Sequence, residues 1–403
     1  MNHLIPSQLG RQDDPIFALN REAMRQRERG DAVINATLGA LLDDEGKLAI
    51  LPTAVRVVHQ VKPVDWATYA PIAGNPDFLR AVIADAFAEA HELRETAVAS
   101  ATPGGSGALH HAVATFLEPG QALLTSSFYW GPYQTIADAA GRAIATFRMF
   151  DGSGKLDLEA FDRALGELLG KQGRALVFLN DPCHNPTGYS MRPGEWEQLI
   201  GIVGRHAARG PVALLLDMAY AAYGSKSPRA LVKQLAPLLG KCLLLAAWTA
   251  SKTFTHYGLR VGALLACTPD ERERTEIGNA LTYASRGTWS NCNRGGQAAI
   301  TRLLTEPALA EACDAERAKL RRMLQGRVEA FNAAASKRGL RFPSYEGGFF
   351  VTVFHDDPAA KAAAMREQGV FVVPQVGPDA NGLRVGLCAV AERDVPRLVE
   401  ALA

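Results

Sequence analysis

The chain has 403 residues, 48% of them hydrophobic, with 43 Lys plus Arg against 42 Asp plus Glu and a formal charge of +1. That length exceeds what one core usually fills, so two lobes are expected, and the balanced charge gives no footing for nucleic acid or an acidic membrane surface. There is no long apolar leader, no run near the roughly 18 apolar residues of a membrane helix, and no Cys-x-x-Cys pair among the six cysteines, so a soluble cytoplasmic protein with reduced thiols is expected.

In chain order, the first signal is Gly104-Gly105-Ser106-Gly107, which is expected to open a helix at Ala108 with an apolar face of Leu109, Ala112, Val113, Phe116 and Leu117. Its backbone N–H groups and helix dipole suit a phosphate. It lacks the Lys-Ser/Thr ending of a nucleotide loop, so on its own it is a bare strand-to-helix turn. Apolar runs follow at residues 121–125, 175–180, 212–216, 242–247 and 259–266. Runs without alternation predict strands covered on both faces, as in a parallel sheet, with helices such as the one around residues 196–203 between them. Ligands collect at the carboxyl ends of such strands. Asn185, Asp217 and Lys252 each follow a run closely enough to lie there.

Residues 307–339, opened by Pro307, predict one helix about 50 Å long at about 1.5 Å per residue. No heptad is sustained along it, so it is expected to be a spine between lobes and not a coiled coil. Residues 347–353 and 370–373 predict strands of a smaller lobe. No internal repeat or low-complexity tract is present.

The chemistry centres on Lys252, in Thr249-Ala250-Ser251-Lys252, with Arg260 eight residues on. A lysine can form an imine with an aldehyde, and an arginine holds phosphate; pyridoxal phosphate has both groups. Asp217 ends an apolar strand, where an unpaired carboxylate is costly and needs a helix N-terminus or a cation. Taken singly, Tyr220 is an ordinary half-buried tyrosine and Trp130 a core residue. His110 and His111 point about 100° apart on a helix and His184 has no ligand partner, so no metal is assigned.

Cys183-His184-Asn185-Pro186-Thr187-Gly188, Asp217-Met218-Ala219-Tyr220, Lys252 and Arg260 come in the order and at the intervals of the aspartate aminotransferase family. The chain resembles that family of class I pyridoxal-phosphate aminotransferases, in its aspartate and aromatic amino acid branch. The likeness runs nearly end to end, through Asp14-Pro15-Ile16-Phe17, Ile34-Asn35, Gly39, Gly46-Lys47, Tyr69-Ala70-Pro71-Ile72-Ala73-Gly74, Trp130, Trp289-Ser290-Asn291 and Arg384-Val385. It implies an α/β fold of fold type I, a mostly parallel central sheet between helices with a smaller α+β domain. Residues 1–48 would form the N-terminal arm and part of the small domain, 49–305 the large cofactor domain, and 306–403 the interdomain helix and small C-terminal domain.

By the same resemblance, Gly105, Ser106, Thr249 and Arg260 hold the cofactor phosphate, and Tyr69 reaches it from the neighbouring subunit, which makes a homodimer necessary. Asp217 keeps the pyridine nitrogen protonated, Asn185 and Tyr220 bond the phenolic oxygen, and Trp130 stacks on the ring. Lys252 holds the cofactor and moves the substrate proton. Arg384 grips the substrate α-carboxylate, helped by Gly39, and Arg286 matches the arginine that crosses the dimer interface to a distal carboxylate, with Arg294 its neighbour and competitor. Two departures bear on specificity. Cys292-Asn293 replaces the usual Pro-Pro, and Tyr133 stands where aspartate-specific members carry a histidine. The implied reaction is amino transfer between an L-amino acid, aspartate or aromatic, with glutamate, and a 2-oxo acid such as 2-oxoglutarate. β-Elimination or decarboxylation on the same fold is the first alternative, and a non-catalytic regulatory module the second.

Overall fold

The computed structural model describes residues 3–5, 8–11, 13–224 and 232–403. Its strands are β1 (Ile34–Asn35), β2 (Ala97–Pro103), β3 (Ala122–Ser126), β4 (Ala143–Phe147), β5 (Ala175–Asn180), β6 (Val212–Asp217), β7 (Leu243–Thr249), β8 (Val261–Cys267), β9 (Phe350–Phe354), β10 (Val370–Phe371), β11 (Val373–Gln375) and β12 (Gly382–Gly386). Seven of them form the central sheet in the order β2-β8-β7-β6-β5-β3-β4. Its pairings from β4 to β7 are parallel, whereas β8 runs against both β7 and β2. Every residue of β5, β6 and β8 is buried, as expected for strands sandwiched between helices.

The apolar runs at 175–180 and 212–216 are β5 and β6, the latter extended by Asp217. β2 and β4 were not expected. β2 is Ala-Val-Ala-Ser-Ala-Thr-Pro, too rich in small residues to read as an apolar run, and β4 is an edge strand with exposed positions. The glycine run does not precede its helix as expected but forms its first turn, since the helix spans Gly104–Phe116. Gly104 has φ +72, a conformation that glycine adopts without penalty.

The long helix is Pro307–Lys337, about 47 Å at about 1.5 Å per residue. Beyond it, β9, β12 and β11 form an antiparallel sheet, and β1 pairs in parallel with β10. A separate apolar core of Val351, Val353, Leu383, Val385, Leu398 and Val399 fills this smaller lobe and includes Ile34 from the N-terminal segment. That segment is knitted to the lobe further on. Gly386 N–H donates to the carbonyl of Ala36 at 2.7 Å, and the fully buried Arg327 of the long helix reaches the carbonyls of Cys388 and Leu42 and the carboxylate of Asp44. All six cysteines are buried free thiols.

Candidate active site

The carboxyl ends of the parallel strands converge on a cavity of about 200 Å³. Strand ends and helix starts supply its polar lining. Asn180 and Asp217 are the last residues of β5 and β6 and are paired in register. Thr249 ends β7 and caps the short helix Ala250–Thr253, its hydroxyl accepting from the Ser251 N–H, so that Lys252 projects one turn beyond the sheet. Gly105 and Ser106 open the helix that follows β2. Asn185, Tyr220, Trp130 and Arg260 complete the wall.

Asp217 is buried, and each of its oxygens has a donor: Tyr133 hydroxyl to Oδ2 at 2.7 Å and Ala219 N–H to Oδ1 at 3.1 Å. Burial raises its carboxyl above the ordinary value, while the Tyr133 hydroxyl and the Ala219 N–H pull it back. Asn180 acts as a strut. Its Nδ2 donates to the Asp217 carbonyl at 2.9 Å and its Oδ1 accepts from Asn185 N–H at 2.6 Å. Asn185 Nδ2 donates to the Tyr220 hydroxyl at 3.3 Å, while its buried Oδ1 has no partner in the protein. Lys252 Nζ lies 5.7 Å from the Tyr220 ring centre and 5.0 Å from that of Tyr257. Burial pushes its ammonium group down to about 8, with Asp217 opposing the shift. The resulting amine is available as a nucleophile near neutral pH.

Arg260 is held against the glycine-rich turn, its Nη1 donating to the Tyr257 carbonyl at 2.9 Å and to Ser251 Oγ at 3.3 Å. Backbone N–H groups of a helix start beside a fixed guanidinium form an anion cradle. Gly262 lets the two strands close on that turn, since a Cβ there would lie 2.5 Å from the Gly104 carbonyl carbon. The residues present fit pyridoxal phosphate on their own chemistry. They offer an amine for an aldehyde, a cradle for a phosphate, and a buried carboxylate short of a cation.

Of the substrate candidates, Trp130 and Asn185 line this cavity, whereas Arg384, Gly39 and Arg286 do not. Arg384 is buried in β12, its Nη2 donating to the Thr37 carbonyl at 2.6 Å and its guanidinium 4.7 Å from the Phe350 ring centre. With Trp130 and Asn185 it lines a second cavity of about 440 Å³ that adjoins the first and runs between the lobes. Gly39 packs on Phe350, whose Cζ would lie 2.7 Å from a Cβ at that position. Tyr69 is 85% exposed and lines neither cavity. Arg286 is exposed and donates to Ser290 Oγ at 2.6 Å, while Arg294 donates to the Tyr69 carbonyl at 3.1 Å and sits 3.7 Å from Asp65. Neither arginine reaches these cavities within its own chain. Sequence reasoning missed Asn180 and Ser251 as cavity residues. The available signal for Asn180 was a lone polar residue closing an apolar run, the same signature that marked Asp217.

A mostly parallel sheet between helices, with a smaller lobe on a long helical spine, is the frame of the pyridoxal-phosphate-dependent aminotransferases of fold type I. The chain belongs to the family described as aminotransferase class I and II, whose model matches residues 31–402. It is 27% identical over 404 residues to the aromatic-amino-acid aminotransferase of Pseudomonas aeruginosa, an alignment covering 97% of this chain and 96% of that protein. The aspartate aminotransferase of the same organism is 28% identical over 352 residues, covering 84% and 85%. The crystal structure of an aminotransferase from Anaerococcus prevotii superposes with a TM-score of 0.93 at 30% identity, covering 100% of this chain and 98% of that one.

Proposed function

We propose that this aminotransferase exchanges amino groups at the cavity bearing Lys252, with an aspartate or aromatic amino acid and glutamate as donors and 2-oxo acids such as 2-oxoglutarate as acceptors. The observation that carries this reading is the joint placement of Lys252, Asp217 and Arg260 around one buried space.

Bound pyridoxal phosphate supplies an aldehyde for covalent attachment and a protonated ring that takes up the electrons left when a bond at the substrate α-carbon breaks. Lys252 would hold the group through its aldehyde and, as a free amine, would act as the base that moves the proton at the substrate α-carbon. Asp217 keeps the ring nitrogen protonated by pairing with it. Asn185 and Tyr220 donate to the phenolic oxygen, Trp130 covers one ring face, and Gly105, Ser106, Thr249 and Arg260 hold the phosphate. Arg384 grips the substrate α-carboxylate with help from Gly39, which fixes the α-hydrogen towards Lys252. Water would supply the oxygen of the departing 2-oxo acid while the amino group stays with the cofactor, and a second 2-oxo acid would take up that amino group and return the water.

The site is completed by a second copy of the chain. Trp66, Tyr69 and Tyr283 are 62%, 85% and 83% exposed on one chain, a cost that a homodimer interface would remove. From that interface Tyr69 would reach the partner's phosphate cradle and Arg286 its substrate. No helix among the described residues is long and apolar enough to cross a membrane, which is compatible with a cytoplasmic enzyme.

The test follows the visible absorbance of the purified protein with single amino acids. Loss of the band with glutamate and its return with 2-oxoglutarate is expected, and Lys252→Ala should abolish both while leaving a folded dimer. Accumulation of ammonia or carbon dioxide in place of a 2-oxo acid would replace transfer by elimination or decarboxylation.

A further inference from the structure

We propose that Tyr133 is a positioning residue for Asp217, its hydroxyl holding the carboxylate aimed and ionised towards the cofactor ring. The inference rests on the assignment of Asp217 as the partner of the ring nitrogen.

Tyr133 lies at the start of the helix Pro132–Ala139 and is 1% exposed, yet its hydroxyl ends 2.7 Å from Asp217 Oδ2. Its ring is fixed on three sides. Phe178 meets it edge-on at 5.3 Å, Trp130 edge-on at 5.9 Å, and Tyr129 stacks parallel at 6.4 Å. The carboxylate is fixed from behind as well, since Asn180 bonds the Asp217 carbonyl and Ala219 N–H takes Oδ1. With one donor on each oxygen, the carboxylate keeps lone pairs free for a ring N–H.

The donor is also a constant one. Burial and the neighbouring Asp217 charge hold the Tyr133 phenol protonated well above its ordinary range. The charged or titratable groups that act on Asp217 and Tyr133 are Lys252 and Tyr220, and the phenol itself keeps its proton through the neutral range. A histidine at this place would titrate in the working range. The same ring braces Trp130, so the carboxylate and the ring-stacking indole share one support.

The hydroxyl has a measurable share in cofactor binding. A hydrogen bond to a charged acceptor corresponds to a factor of roughly 10 to 100 in affinity. Holoenzyme loaded with pyridoxamine phosphate is the right probe, because its amine cannot condense with Lys252 and its retention reads the non-covalent contacts alone. Equilibrium dialysis of Tyr133→Phe should show affinity lower by about 10-fold or more, and in an Asp217→Asn background the same change should alter affinity by less than about 2-fold. Wild-type affinity in Tyr133→Phe overturns the proposal, and so does an equal loss in the Asp217→Asn background, which would mark a packing effect. Failure of the wild-type chain to bind any phosphorylated B6 vitamer would instead remove the functional assignment itself.

Discussion

Arg260 and Gly104 fill each other's space: a Cβ on residue 104 would lie 2.6 Å from Nη2 of Arg260. The contact seats the guanidinium over the first turn of the glycine-rich helix. An alanine there would also be strained at φ +72, at a cost of about 1–2 kcal/mol. Gly104→Ala is therefore expected to lower the thermal unfolding midpoint and to weaken pyridoxal phosphate binding by about 10-fold or more, since Arg260 must shift. Calorimetry and cofactor titration read the two effects separately.

Lys252 has a pKa lowered to about 8 by burial. In cofactor-free protein it is the neutral amine that attacks an aldehyde, so the uptake rate of pyridoxal phosphate should rise with pH and level off above a midpoint near 8, not near the ordinary lysine value. The linkage to stability has a definite sign. Because the folded pKa is depressed, the unfolded chain binds the extra proton, and this group adds stability as pH rises from about 8 towards the unfolded value. Stopped-flow absorbance against pH tests the first expectation, and denaturant midpoints of wild type and Lys252→Met across that range test the second.

Arg384→Lys keeps the charge but loses the planar fork. Its buried position offers no second cation to take over, since the other side chains lining that interlobe cavity are apolar or neutral. The KM for amino donors should rise by about 10- to 100-fold, with cofactor content unchanged. Steady-state kinetics alongside a cofactor assay would show the separation, and equal losses of both would remove the substrate role.

Tyr69 lines no cavity of its own chain. If it completes the partner's site, a mixture of Tyr69→Ala and Lys252→Ala chains, unfolded and refolded together, forms hybrids with one intact site. Activity well above that of either variant alone is expected. A sum no greater than the separate preparations would confine Tyr69 to its own subunit's surface.

Much of the site was legible because its residues are tied to strand ends by chain order. Asp217 closes a run of apolar residues and Lys252 follows another, so burial periodicity alone puts both at the ligand edge of a parallel sheet. The ordered motifs then added what geometry lacks, the roles expected of Asn185, Tyr220 and Arg260, which all line the cavity. Other features leave no linear trace. The reversed direction of β8 is invisible, since a fully buried strand has the same composition either way up. β2 hides behind alanine, serine and threonine, whose burial comes from its neighbours and not from their own bulk. Asn180 matters through two hydrogen bonds to backbone atoms, which no spacing rule encodes. Arg286 lines neither of the two cavities described and donates to Ser290, so its own chain does not test the substrate role expected of it.

The stitching of residues 34–44 into the C-terminal lobe has a mechanical corollary. Through the β1–β10 pairing, the Thr37–Arg384 bond and the Arg327 contacts to Leu42 and Asp44, Gly39 and Arg384 are tied to the smaller lobe, while Lys252 and Asp217 sit at the strand ends of the larger sheet. If the proposed roles hold, an amino acid with its carboxylate on Arg384 and its nitrogen on the Lys252 side would be a clasp across the cleft. Amines without a carboxylate would leave that clasp unfastened.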